Sequence, residues 1–287
     1  MNRESKRLIQ VLGCAAFWLH FGSVLRAQDR HSQNTTAAQN NAPAPVADQI
    51  SAVPNRPTFS TTAEAVQAGV FEVEYGVELA GGHQNINGLL KFGATRNLEL
   101  RFANNPFERD SGIAGTGDSG AGFKYKFLAQ RGWRPTISIL YGALIPTARA
   151  GVGVGALSHS AGILASKDFG PHHLDVNETV QWVGRPNTSG FDRNYFTALA
   201  YSHEIHGKWE MTAEIAGFSW TNTMNPATMT LMGSAIYNVS PRFIIDGGVY
   251  VAAYGHLPRN TLFCGVTYSI ADLYRGRRGK VKRLHGT

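Results

Sequence analysis

The chain has 287 residues, 16% of them charged, with 32 glycines and a formal net charge of +7. After the N-terminus there is no run of about eighteen apolar residues; this excludes a transmembrane helix but not a membrane, since a spanning strand needs only about ten residues, half of them polar. The positive charge belongs to the ends: Arg3, Lys6, Arg7 and Arg26 precede residue 28, six Lys and Arg follow residue 274, and the body between them holds 17 cations against 19 anions. A nucleic-acid partner therefore loses its electrostatic support.

The basic start, the mostly apolar stretch from Leu8 to Val24 and the small Ala27 predict a signal peptide over 1–27. Gln10, His20 and Arg26 argue against a retained anchor helix. Cys14 follows Val11-Leu12-Gly13, a loose lipoprotein box, but the apolar run continues to Leu19, so cleavage there would cut the signal core in half. Removing the signal leaves Cys264 as the only cysteine, and neither an intramolecular disulfide nor a zinc cluster can form. Residues 28–60, with Asn40-Asn41-Ala42-Pro43-Ala44-Pro45, predict a disordered linker, too short to be a plug domain filling a large barrel.

From Gly69 the pattern alternates. Phe71, Val73, Tyr75, Val77 and Leu79 face one way, and Glu72, Glu74, Gly76 and Glu78 the other, which only a strand achieves. Leu98, Leu100 and Phe102 oppose Glu99 and Arg101. Phe123, Tyr125 and Phe127 oppose Lys124 and Lys126. Trp209, Met211 and Ile215 oppose Glu210, Thr212 and Glu214. Similar stretches run through Ile137–Tyr141, Leu174–Trp182, Tyr195–Tyr201 and Leu262–Ile270. Weaker ones fill Ile86–Phe92, Gly155–Lys167, Met229–Val239 and Phe243–Ala253. Glu178 breaks the rule by sharing the phase of Val176 and Val180. A local bulge or a contact with another subunit would resolve it.

Tight turns fall at Thr95-Arg96-Asn97, Gln130-Arg131-Gly132, Phe169-Gly170-Pro171, Ile205-His206-Gly207 and Val239-Ser240-Pro241, roughly 35–40 residues apart, the length of a hairpin with its connections. Looser connections at Asn104–Asp118, Thr147–Gly153, Gly184–Arg193 and Thr221–Ala227 lie between them. Tight turns at one end, loops at the other and an even strand count predict an all-β fold: an antiparallel transmembrane β-barrel of about twelve strands over 61–274, in the bacterial outer membrane, with a basic periplasmic tail over 275–287. The competing fold is a soluble β-sandwich, which would also alternate.

Several runs resemble a known group. Arg56-Pro57-Thr58-Phe59-Ser60-Thr61-Thr62-Ala63-Glu64 followed by Gly69-Val70-Phe71-Glu72-Val73-Glu74 resembles the start of the outer-membrane barrels called phenol meta-cleavage pathway proteins or transporters. Gly93-Ala94-Thr95-Arg96-Asn97-Leu98-Glu99-Leu100-Arg101 resembles their first tight turn. Gly117-Asp118-Ser119-Gly120-Ala121-Gly122-Phe123-Lys124-Tyr125-Lys126 resembles their fourth strand, and Pro146-Thr147 the end of their fifth. The resemblance covers about 56–274 and implies an outer-membrane protein that takes up hydrophobic small molecules. The basic tail after Tyr274 departs from the aromatic terminus on which many outer-membrane strands finish.

Catalytic motifs are incomplete. Tyr201-Ser202-His203-Glu204-Ile205-His206-Gly207 resembles the histidine motif of outer-membrane phospholipases, but Ile205 stands where their serine would be, and adjacent Ser202 and His203 must face opposite sides. His159 and Ser160 fail likewise. His172-His173 diverge on a strand and predict no metal site. Gly151-Val152-Gly153-Val154-Gly155 precedes no helix and predicts no phosphate loop. No cofactor is expected. The remaining candidates are lumen-lining: Glu72, Glu74, Glu78, Glu99, Arg101, Lys124 and Lys126. They form either a charged constriction or an ion-pair network that fills a small barrel. The functions in view are a channel or transporter-like barrel for small, hydrophobic or aromatic solutes, a non-conducting structural or adhesive barrel and, least supported, a lipid hydrolase. The partners expected are outer-membrane lipid and a small solute.

Overall fold

The computed structural model describes residues 50–110, 112–219, 227–255 and 260–273. The predicted signal peptide, the linker up to residue 49 and the basic tail lie outside the described residues. The strands are β1 (Val70–Ala80), β2 (His83–Gly93), β3 (Leu98–Asp110), β4 (Ile113–Gly115), β5 (Ser119–Leu128), β6 (Thr136–Ile145), β7 (Ser158–Phe169), β8 (His172–Gly184), β9 (Phe191–His206), β10 (Trp209–Phe218), β11 (Thr228–Ser240), β12 (Phe243–Tyr254) and β13 (Asn260–Asp272). Twelve of them pair antiparallel in sequence order, with β3 running directly to β5. β1 pairs with both β2 and β13, which closes the barrel without an edge. The short β4 folds back only on the end of β3.

Alternation sets the faces. In β10, Trp209, Met211 and Ile215 are exposed while Glu210, Thr212 and Glu214 are buried. Ile163 at 59% and Leu262 at 63% exposure lie on the same outer surface, whereas Glu72, Lys91, Glu99 and Lys124 are fully buried. A soluble sandwich buries its apolar face; this barrel turns its apolar face outward, as a bilayer requires. Aromatics pair on the outside near the tight turns, as in Trp209–Tyr237 with centroids 4.8 Å apart and Phe243–Tyr268 at 5.7 Å.

Three local expectations change. β3 continues through Pro106 to Asp110, where a loop was expected from Asn104, and Pro106 sits close to the strand's far end. The end carrying the longer loops also holds a two-residue turn, Gly81-Gly82, between β1 and β2. Glu178 is exposed on the outer face midway along β8, and the ladders to β7 and β9 pass it without a bulge. Its neighbour Thr197 donates to it at 2.5 Å.

The largest departure lies inside. From residue 50 the chain, expected to be linker to residue 60 and barrel wall from residue 61, is instead ordered inside the barrel and enters its first strand only at Val70. Ala52, Val53, Ser60, Ala63 and Val66 are buried, and Val53 and Val66 pack with Ile50 and Val70. A twelve-stranded lumen is wide enough to take one extended chain, so no plug domain is needed. Such a chain leaves no side-chain periodicity, because main-chain groups make most of its bonds.

Candidate functional site

Residues 50–69 make one circuit of the inner wall before entering β1. Val53 N donates to Glu72 Oε2 at 2.9 Å, and Asn55 N and Arg56 N donate to the two Glu74 oxygens at 3.0 and 3.1 Å. On β10, Glu214 accepts from Phe59 N at 2.8 Å and Ser60 N at 2.6 Å. Asn177 of β8 accepts from Thr61 N and donates to Thr61 O, as a neighbouring strand would. Ser166 of β7 accepts from Ala63 N, and Ser138 of β6 donates to Ala63 O. Lys124 of β5 donates to Thr62 O, Glu99 of β3 accepts from Val66 N at 2.9 Å, and Gly69 N reaches Gly93 O of β2. Glu64 joins Lys126 at 2.7 Å and Thr136 at 2.6 Å. The contacted wall residues cluster in the half of the barrel nearer the tight turns. Buried main-chain N–H groups must find acceptors, and carboxylates are strong ones.

The candidate residues divide into four groups. Glu72 and Glu74 do not meet Arg101, Lys124 or Lys126; both meet Lys91, at 2.6 Å for Glu72, with all three side chains buried. Glu99 gathers Arg101 at 2.8 Å and Lys124 at 3.3 Å. Lys126 leaves the wall network for Glu64 of the inner segment. Glu78 stands apart, accepting from Asn87 Nδ2 at 2.6 Å and from the Tyr250 hydroxyl at 3.2 Å.

Lys91, Asp246 and Ser166 were not singled out from the sequence, and neither Asn177, on the polar face of its strand, nor Arg56 was given a role there. Lys91 lies in a weakly alternating strand, and the bulge between Ile86 and Gly88 hides its phase. Asp246 is masked because Ile244, two residues earlier, faces inward against Ala52. Glu214 was legible as a polar-face residue, but its main-chain partners were not.

Above residues 55–59 lies a cavity of about 310 Å³. Phe59, Tyr250 and Phe263 form an aromatic side, with Phe59 and Tyr250 edge-on at 5.0 Å, and Arg56, Arg101, Glu78 and Asn87 form the polar side. Ser202 points inward to Thr212 at 2.7 Å, while His203 stacks outside on His172 at 4.7 Å. His173 points inward between Asp168 and Asp175, and His159 points outward to the Tyr141 hydroxyl at 2.8 Å. Each adjacent pair is thus split across the wall.

The class defined here is an outer-membrane-type antiparallel barrel with its own N-terminal segment wound inside. Solved structures of outer-membrane barrels are similar to the chain, two of them as follows. An outer membrane channel from Pseudomonas putida F1 aligns with TM-score 0.57 and 13% identity over 74% of this chain and 99% of its own. The NanC porin aligns with TM-score 0.54 and 10% identity over 70% of this chain and 100% of its own. At such identities the likeness concerns the fold. No protein-family model matches the chain, and no curated protein does.

Proposed function

We propose that the chain is an outer-membrane channel or transporter-like barrel for small solutes, held closed by residues 50–68. One observation carries this reading. Four buried wall carboxylates, Glu72, Glu74, Glu99 and Glu214, together with Asn177 and Ser166, all bind a single extended strand of chain, which is joined to the barrel covalently only at Val70. Such an occupant can leave by exchanging its bonds for water without opening the barrel ladder. The similar solved structures, a porin and a channel, support the reading through their shared fold. The resemblance to phenol meta-cleavage pathway barrels and the aromatic side of the cavity favour hydrophobic or aromatic solutes.

The test is planar-bilayer conductance of the full chain and of a variant lacking residues 50–66. The full chain is expected to conduct weakly and the deletion clearly more. A deletion protein shown to be folded by heat-dependent gel mobility, yet conducting no more than the full chain, overturns the proposal. That outcome would favour the second reading, a non-conducting structural barrel, which the buried Lys91–Glu72–Glu74 and Lys124–Glu99 clusters support.

A further inference from the structure

The Arg56 side chain lies in a slot in the barrel wall. Its Nε and Nη2 approach the two oxygens of Asp246 at 3.3 and 3.4 Å, Nη1 donates to Asn87 Oδ1 at 2.8 Å, and Nη2 reaches the carbonyl of Cys264 at 3.3 Å. The floor of the slot is two glycines opposite each other on neighbouring strands, Gly76 of β1 and Gly265 of β13. A Cβ on Gly76 would lie 2.1 Å from the Arg56 guanidinium carbon, and one on Gly265 would lie 2.2 Å from Arg56 Nε. Asp246 is almost wholly buried, its side chain 1% exposed. Asn87 is turned to offer its oxygen because Glu78 accepts from its Nδ2, and Tyr250 steadies Glu78 in turn.

These features together form a receptor for a planar cation. A side-on carboxylate fork, an oriented amide and a flat backbone floor suit a guanidinium and fit a compact ammonium poorly. The slot also opens on the cavity, whose lining includes Arg56, Asn87, Glu78 and Tyr250. Arg56 is anchored separately through its main-chain N–H on Glu74, so its side chain can leave while the segment keeps its path.

We propose that Asp246, Asn87, Gly76 and Gly265 form a guanidinium-binding site that Arg56 fills from within, and that a small guanidinium-bearing solute entering the cavity competes for it. The solute binds only the state in which Arg56 has left, so it shifts the population toward an unlatched inner segment. The binding site stands on geometry alone. Its role as the trigger of opening rests on the proposed channel function.

The experiment titrates ethylguanidinium chloride, with n-propylammonium chloride as the control of equal charge, into the full-length folded barrel in detergent by calorimetry. In Arg56→Ala the slot is empty, and ethylguanidinium is expected to bind saturably and at least about tenfold more tightly than n-propylammonium. In the parent protein Arg56 competes, and the same binding should weaken by about tenfold or more. Adding Asp246→Asn to Arg56→Ala should abolish it. Should Arg56→Ala not fold, Arg56→Lys serves, because its ammonium leaves the planar site incompletely filled. Absence of saturable binding in a folded variant, or equal binding of the two cations, overturns the proposal. Conductance of the deletion variant is read separately. Binding without conductance sinks the channel and keeps the slot, and conductance without binding does the reverse.

Discussion

Lys91 Nζ lies 2.6 Å from Glu72 Oε1 with neither side chain exposed, and Lys91 also meets Glu74 and donates to Val53 O. One cation therefore pairs with two carboxylates on β1 while gripping the inner segment. Both carboxylates in turn accept main-chain N–H groups of that segment. Replacing Lys91 by Met strands two buried anions, and loss of one partner of a buried pair costs about 3–5 kcal/mol. The expected result is a lower midpoint for urea unfolding from lipid vesicles. Adding Glu72→Gln should recover part of the loss. A Lys91→Met variant as stable as the parent would show that the cluster is not a dry ion pair.

Glu214 offers the inner segment two charge-assisted hydrogen bonds, to Phe59 N and Ser60 N. Each is worth about 1.5–3 kcal/mol. Glu214→Ala should free the middle of the segment while leaving the barrel intact. The readout is faster limited proteolysis at residues 57–61 with unchanged heat-dependent gel mobility. Glu214→Gln keeps one acceptor oxygen and should fall between the two. Unchanged proteolysis in Glu214→Ala would mean that these bonds do not hold the segment.

The Arg56 slot predicts a coupled pair of substitutions. Gly76→Ala places a methyl where the guanidinium lies, and overpacking of this kind costs about 1–3 kcal/mol. In an Arg56→Ala background the same methyl meets no guanidinium, so most of the cost should vanish. A double-mutant cycle by urea unfolding measures the coupling. Additive effects would place Arg56 elsewhere in solution.

Glu178 faces outward from the middle of β8 and, among the described residues, meets the Thr197 hydroxyl alone. A carboxylate at the bilayer midplane is unfavourable, and Glu178→Leu should stabilise the lipid-embedded barrel by about 1–2 kcal/mol. Destabilisation in that titration would instead show that another polypeptide covers this face.

The faces of the wall were legible in the sequence because a strand's side chains alternate with period two. Glu72, Glu74 and Glu78 stood opposite Phe71, Val73, Tyr75 and Val77, and Lys124 opposite Tyr125, before any coordinate was needed. Strand number and tight turns followed from the same alternation and from the spacing of Gly, Pro and Asn. Phase says which side a residue occupies, but not which strand or segment it meets across a lumen. Barrel closure, which sets β1 between β2 and β13, gave Glu72 to Lys91 and brought Gly76 opposite Gly265. The inner segment was the least legible part. Residues 50–68 bind largely through main-chain N–H and C=O groups, which every residue but proline carries alike, so 50–60 read as linker and 61–68 as the start of the barrel wall. Only the folded barrel, by burying those groups beside Glu72, Glu74, Glu99 and Glu214, turned that stretch into an occupant of the lumen.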